Sequence, residues 1–137
     1  MKASTGYRAA AVLLLLFAIG HTFSFSLVDP KWGLDNVLAQ MRTIHFRVGN
    51  IERTYWDFYL GSGLTVGVLY LFSAVLAWQL GTLKPETLKE LRLATWAFAL
   101  AYAGVAVVSM IHLFMIPIAF SLVITICLAM GAWAASR

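Results

Sequence analysis

The sequence predicts an all-α fold: an integral-membrane antiparallel four-helix bundle, with a short amphipathic outer helix between spans 1 and 2. Three observations predict it. Hydrophobic residues make up 61% of the 137-residue chain and charged residues only 12%, against about 45–50% and about 25% in soluble domains. Uncharged stretches long enough to cross a bilayer recur along it. The charges gather in the connections between those stretches. A soluble protein of this composition would expose a large apolar surface to water. The basic excess of +4 forms no stripe and points to membrane orientation, not to nucleic acid.

A spanning helix needs about 20 mostly apolar residues to cross about 30 Å of hydrocarbon. Spans are therefore expected at about 8–28, 55–80, 90–113 and 117–135. From Ala9 to Val28 there is no charge and one histidine. Lys2 and Arg8 before this stretch give it the layout of a signal peptide; we read it as a retained first span. From Trp56 to Leu80 the only charge is Asp57. From Leu93 to Ser136 there is none, which leaves length for two crossings. Pro117 divides them, because proline disfavours helix at the residue before it and suits a first helical position. The chain reads as one domain, 1–137, without repeat or linker. Its single Cys127 permits no internal disulfide.

Residues 29–54 form the one long connection. Leu34, Val37, Leu38, Met41, Ile44 and Val48 recur there at helical spacing, which predicts an amphipathic helix lying on the outer face. Asp29-Pro30 is its expected start and Gly49-Asn50 its stop. This segment is either a strap closing the bundle or a lid over a pocket. In the inner loop, Pro85 suits a first helical position, and Thr87-x-x-Glu90 is a competing capping box. In either case the third helix is expected to begin a turn or two before Leu93.

Orientation follows from lysine and arginine. With the N-terminus inside, Lys2, Arg8, Lys84, Lys89, Arg92 and Arg137 face Glu86 and Glu90. Outside, Lys31, Arg42, Arg47 and Arg53 balance Asp29, Asp35, Glu52 and Asp57. Trp32 and Trp56 fall at the outer interface; Trp78, Trp96 and Trp133 fall at the inner one. For helix packing, small residues mark close approach in lipid. The sequence offers Gly63-x-x-x-Gly67 on the second span. It offers Ala94, Ala97, Ala101 and Gly104 on the third, and Ser121, Thr125 and Ala129 on the fourth.

Topology then gathers a polar set at the outer end: His21, Asp57 and His112, with Tyr55, Trp56, Tyr59 and Ser109 beside them. Each residue has a structural reading next to a functional one. Thr54-x-x-Asp57 is a capping-box pattern, and a carboxylate there suits the positive end of a helix dipole. His21 would bond a backbone carbonyl or Asp57. His112 would close the turn before Pro117, and His45 would sit at the interface. In the functional reading, Asp57 and a histidine bind a polar head group or move a proton, and Gly61 leaves room for a ligand. Two further histidine roles are weaker. His21 and His112 as axial ligands would hold a non-covalent haem b, and two histidines alone make a poor zinc site.

Gly20-His21-Thr22, followed by Thr54-Tyr55-Trp56-Asp57-Phe58-Tyr59-Leu60-Gly61-Ser62-Gly63-Leu64, resembles a functionally uncharacterised family of small bacterial four-helix membrane proteins. That family shares a Gly-His-Thr segment and a Tyr-Trp-Asp-Phe-Tyr-x-Gly-x-Gly-Leu segment. It is DoxX-like in size and similar in layout to the emopamil-binding and sigma-2 receptor group, which holds amphipathic amines and sterols between its helices. Only Asp57 matches that group's carboxylates in place. The resemblance implies a pocket among four helices. The expected function is a bacterial inner-membrane protein, both termini cytoplasmic, holding a small amphipathic molecule (quinone, lipid or sterol-like) at its outer end. The alternatives are an accessory subunit of a larger membrane complex, or a membrane isomerase or oxidoreductase.

Overall fold

The computed structural model describes residues 2–136, so Arg137 lies outside the described residues. About 80% of the chain is helical. The elements run α1 (Ala3–Ser24), a 3₁₀ turn (Pro30–Trp32), α2 (Asp35–Thr43), β1 (His45–Val48) and β2 (Ile51–Thr54). Then follow α3 (Tyr55–Leu80), α4 (Pro85–Glu90), α5 (Arg92–His112) and α6 (Met115–Ala135). Helices α1, α3, α5 and α6 are long and apolar enough to cross a membrane.

Several local expectations are corrected. The first span begins near residue 3 and ends at Ser24. The fourth begins at Met115, which puts Pro117 at its third position. Proline is tolerated there because the first four helical N–H groups have no intrahelical partner in any case. Pro85 does open a helix at its first position, capped by Lys84 without a side-chain bond, so the Thr87 capping box is not used. That helix is a separate short α4, broken from α5 at Leu91.

The largest correction concerns residues 34–54. The helical spacing holds only through α2, and Ile44 ends it in extended conformation. Beyond lies an antiparallel hairpin in which Val48 pairs with Ile51. Gly49-Asn50 is its two-residue turn, not a helix stop. Gly49 has φ +59° and Asn50 has no positive φ, which is what a type II′ turn with glycine at its first central position requires. Asp29 is a start signal, but of the 3₁₀ turn: its carboxylate accepts from Lys31 N at 2.9 Å.

The chain divides into two compact units. One comprises Ala18–Leu69; the other holds the chain up to Phe17 and from Tyr70 onward. In the second, α5 and α6 run antiparallel, since Trp96 near the start of α5 donates to Ser136 beyond the end of α6 (3.4 Å). The buried stripe of α5 is Thr95, Ala99, Tyr102, Ala106 and Ser109. Ala94, Ala97, Ala101 and Gly104 are exposed, so the small-residue stripe expected there is not the packing face. On α6, Ser121 lies on the buried stripe with Ile124, Leu128 and Gly131, while Thr125 and Ala129 flank it half-buried. The first turns of α1 lie against α6: a Cβ on Gly6 would stand 2.8 Å from the Cys127 carbonyl oxygen. Phe17, Tyr70, Tyr102 and Phe120 join by ring contacts 4.4–5.5 Å between centroids.

In the Ala18–Leu69 unit, the end of α1 packs on the start of α3. Side chains added at Gly63 and Gly67 would collide with Phe25 and Thr22 respectively. The Gly-x-x-x-Gly pattern therefore serves contact within the chain.

Candidate functional site

The hairpin lies beside the first turns of α3 because the two are continuous: Thr54 ends β2 and Tyr55 begins α3. Tyr55 N donates back to Ile44 O at 3.3 Å. Thr54 and Asp57 lock this corner reciprocally. The Thr54 amide and hydroxyl both donate to Asp57 Oδ2 at 2.9 Å, and Asp57 N donates to Thr54 Oγ1 at 3.1 Å. This is a capping box with aspartate in the carboxylate position.

Strand alternation places Phe46 and Val48 on one face of the hairpin, with Arg53 opposite Phe46. Helical spacing puts Asp57, Phe58, Gly61, Ser62 and Thr65 on the neighbouring side of α3. Between them runs an open groove of about 710 Å³. Its surface is mostly apolar, with Phe46, Val48 and Phe58 as its apolar side chains, and it carries one cation and one carboxylate, Arg53 and Asp57. A Cβ on Gly61 would touch nothing within 4 Å, so the groove is open at that point. Thr65 turns its hydroxyl onto the Gly61 carbonyl (2.8 Å).

The other expected site residues lie as follows. His21 Nε2 donates to the Gly63 carbonyl at 3.1 Å, and its ring stacks on Phe25. Tyr59 donates to the Phe25 carbonyl at 2.7 Å. Trp56 packs beside Tyr59, with the Arg42 guanidinium 4.7 Å from its ring centroid. Tyr55 meets Phe46. The unit thus draws His21, Phe25, Tyr59 and Trp56 into one chain of contacts, while Asp57 bonds Thr54. His45 pairs with Glu52 across the hairpin at 3.3 Å. Ser109 and His112 belong to the other unit: Ser109 is buried on α5, and His112 is exposed at its last position. Among the described residues, no three His, Cys, Asp or Glu side chains gather as a metal site.

Sequence reasoning missed Phe46, Val48, Arg53 and Phe58 as groove residues. The available signal was the alternation Ile44-His45-Phe46-Arg47-Val48 ahead of Gly49-Asn50, a strand-and-hairpin pattern.

Compared with known proteins, the chain matches no family model, no curated protein and no solved structure.

Proposed function

We propose that this protein is a multi-pass bacterial inner-membrane protein, both termini cytoplasmic, that holds a small amphipathic molecule in the groove between the hairpin and α3. The membrane part of the reading rests on outward-facing apolar surface. Only 17% of the most apolar window of α3 is buried within the chain, and no candidate span exceeds 33%. Val68, Phe72 and Val75 on α3 and Leu100 and Ile111 on α5 are each more than 60% exposed. Such surfaces are stable against acyl chains and unfavourable against water.

The groove carries the ligand reading. Its apolar walls suit the body of a quinone, lipid or sterol-like compound, and Arg53 and Asp57 suit its polar end. The test is native mass spectrometry of the protein extracted in mild detergent. Wild type is expected to carry a small amphiphile, and Gly61→Leu, which fills open space, is expected to lose it while remaining folded. An empty wild type, or a Gly61→Leu variant that keeps the molecule, contradicts the reading.

One observation favours a second reading, an accessory subunit. The stripe Ala94, Ala97, Ala101 and Gly104 on α5 is exposed and has the small residues that partner helices use in lipid. An accessory subunit would co-migrate with other chains in that same extract.

A further inference from the structure

Several helix ends converge at one end of the unit that contains α4, α5 and α6. A Cβ on Gly81, just after α3, would stand 3.1 Å from Arg8 Cγ and 3.4 Å from the Ser4 carbonyl oxygen. The first turns of α1 therefore lie beside the end of α3. The same turns meet the last part of α6 at Gly131, whose amide is 2.9 Å from a Cβ placed on Gly6. Trp96 ties the start of α5 to Ser136. Leu88 anchors α4, being 2% exposed.

This convergence collects Lys2, Arg8, Lys84, Lys89 and Arg92 against two carboxylates, Glu86 and Glu90. All five cations are exposed. Among the described residues, the one ion pair within 4.0 Å joins His45 and Glu52, so none of the five is neutralised by a carboxylate contact. Three tryptophans stand at the same end. Trp78 and Trp133 are about half exposed, and Arg8 lies over the Trp78 ring, 5.8 Å from its centroid. Tryptophan rings settle at head-group level in a bilayer, and arginine presents a fork of donors that matches phosphate oxygens. The cations of the Ala18–Leu69 unit, by contrast, are balanced four to four by carboxylates.

We infer that this end of the unit binds the phosphodiester head groups of anionic phospholipids, with Arg8 on Trp78 at its centre. The inference rests on the membrane reading above but not on the groove. Cations held near an anionic leaflet each strengthen the attraction roughly fivefold, and the effect fades within about one Debye length.

The experiment reconstitutes the full chain into nanodiscs of equal phosphatidylglycerol and phosphatidylcholine, then identifies the lipids retained on release by native mass spectrometry. Wild type is expected to retain phosphatidylglycerol in excess by roughly fivefold or more. Arg8→Gln should reduce the excess. So should the double variant Lys89→Gln/Arg92→Gln, whose exposed side chains do not support the packing at Gly81. Lys31→Gln, an exposed cation of the Ala18–Leu69 unit outside the groove, should leave it unchanged. Equal retention of the two lipids by wild type overturns the inference. A preference that survives both basic-end variants, or is lost in Lys31→Gln, overturns it as well. A chain that does not enter the discs overturns the membrane reading along with it.

Discussion

Thr54 and Asp57 show how much a single corner can do. Their reciprocal bonds satisfy the amide of Thr54 at the end of β2 and that of Asp57 in the first turn of α3, and tie the strand to the helix. The Thr54-x-x-Asp57 spacing made this legible in the sequence, because a capping box is a local pattern that needs no tertiary information. A carbonyl bond was one of the two partners expected for His21, but its acceptor Gly63 lies 42 residues along the chain, a tertiary contact that no local pattern marks. Removing the cap hydroxyl in Thr54→Ala should cost about 1 kcal/mol, seen as a lower thermal midpoint in detergent, with Thr54→Ser close to wild type. Neither change should empty the groove. Asp57→Asn should release the bound amphiphile in native mass spectrometry, because its carboxylate is the groove's one anionic group.

The elements were legible unevenly. The four long helices follow from apolar run length, a coarse and strong signal. The hairpin was hidden because Leu34, Val37, Leu38 and Met41 begin a true helical period, and Ile44 and Val48 happen to continue it. The change to period two becomes visible only with Phe46 between them. The packing face of α5 was misread for another reason. Both of its faces are apolar, so small residues alone do not mark the inside; Thr95, Tyr102 and Ser109 mark it better, since hydroxyls avoid lipid. Two predictions belong at this scale. Gly49→Val puts a β-branched residue at φ +59° and should cost about 1 kcal/mol or more. Amides of 45–54 should then exchange at least about fivefold faster, while those of the spans are unchanged. Gly63→Leu, which drives a side chain into Phe25, should destabilise the protein strongly, whereas Gly61→Leu two positions away should not. Equal effects of the two would contradict the described packing of α1 on α3.

At the scale of the molecule, no long helix buries more than a third of the residues of its apolar stretch within the chain. The apolar surface left outside is what the proposal of a bilayer explains. The most direct measurement is the sidedness of the connections. In a Cys127→Ser background, Asn50→Cys in the hairpin turn, Thr82→Cys after α3 and Leu113→Cys between α5 and α6 would be labelled by a membrane-impermeant maleimide on intact cells. The account predicts that Asn50→Cys and Leu113→Cys label at once and that Thr82→Cys labels only after permeabilisation. Labelling of Asn50→Cys and Thr82→Cys from the same side would mean that α3 does not cross, and would contradict the four-span reading.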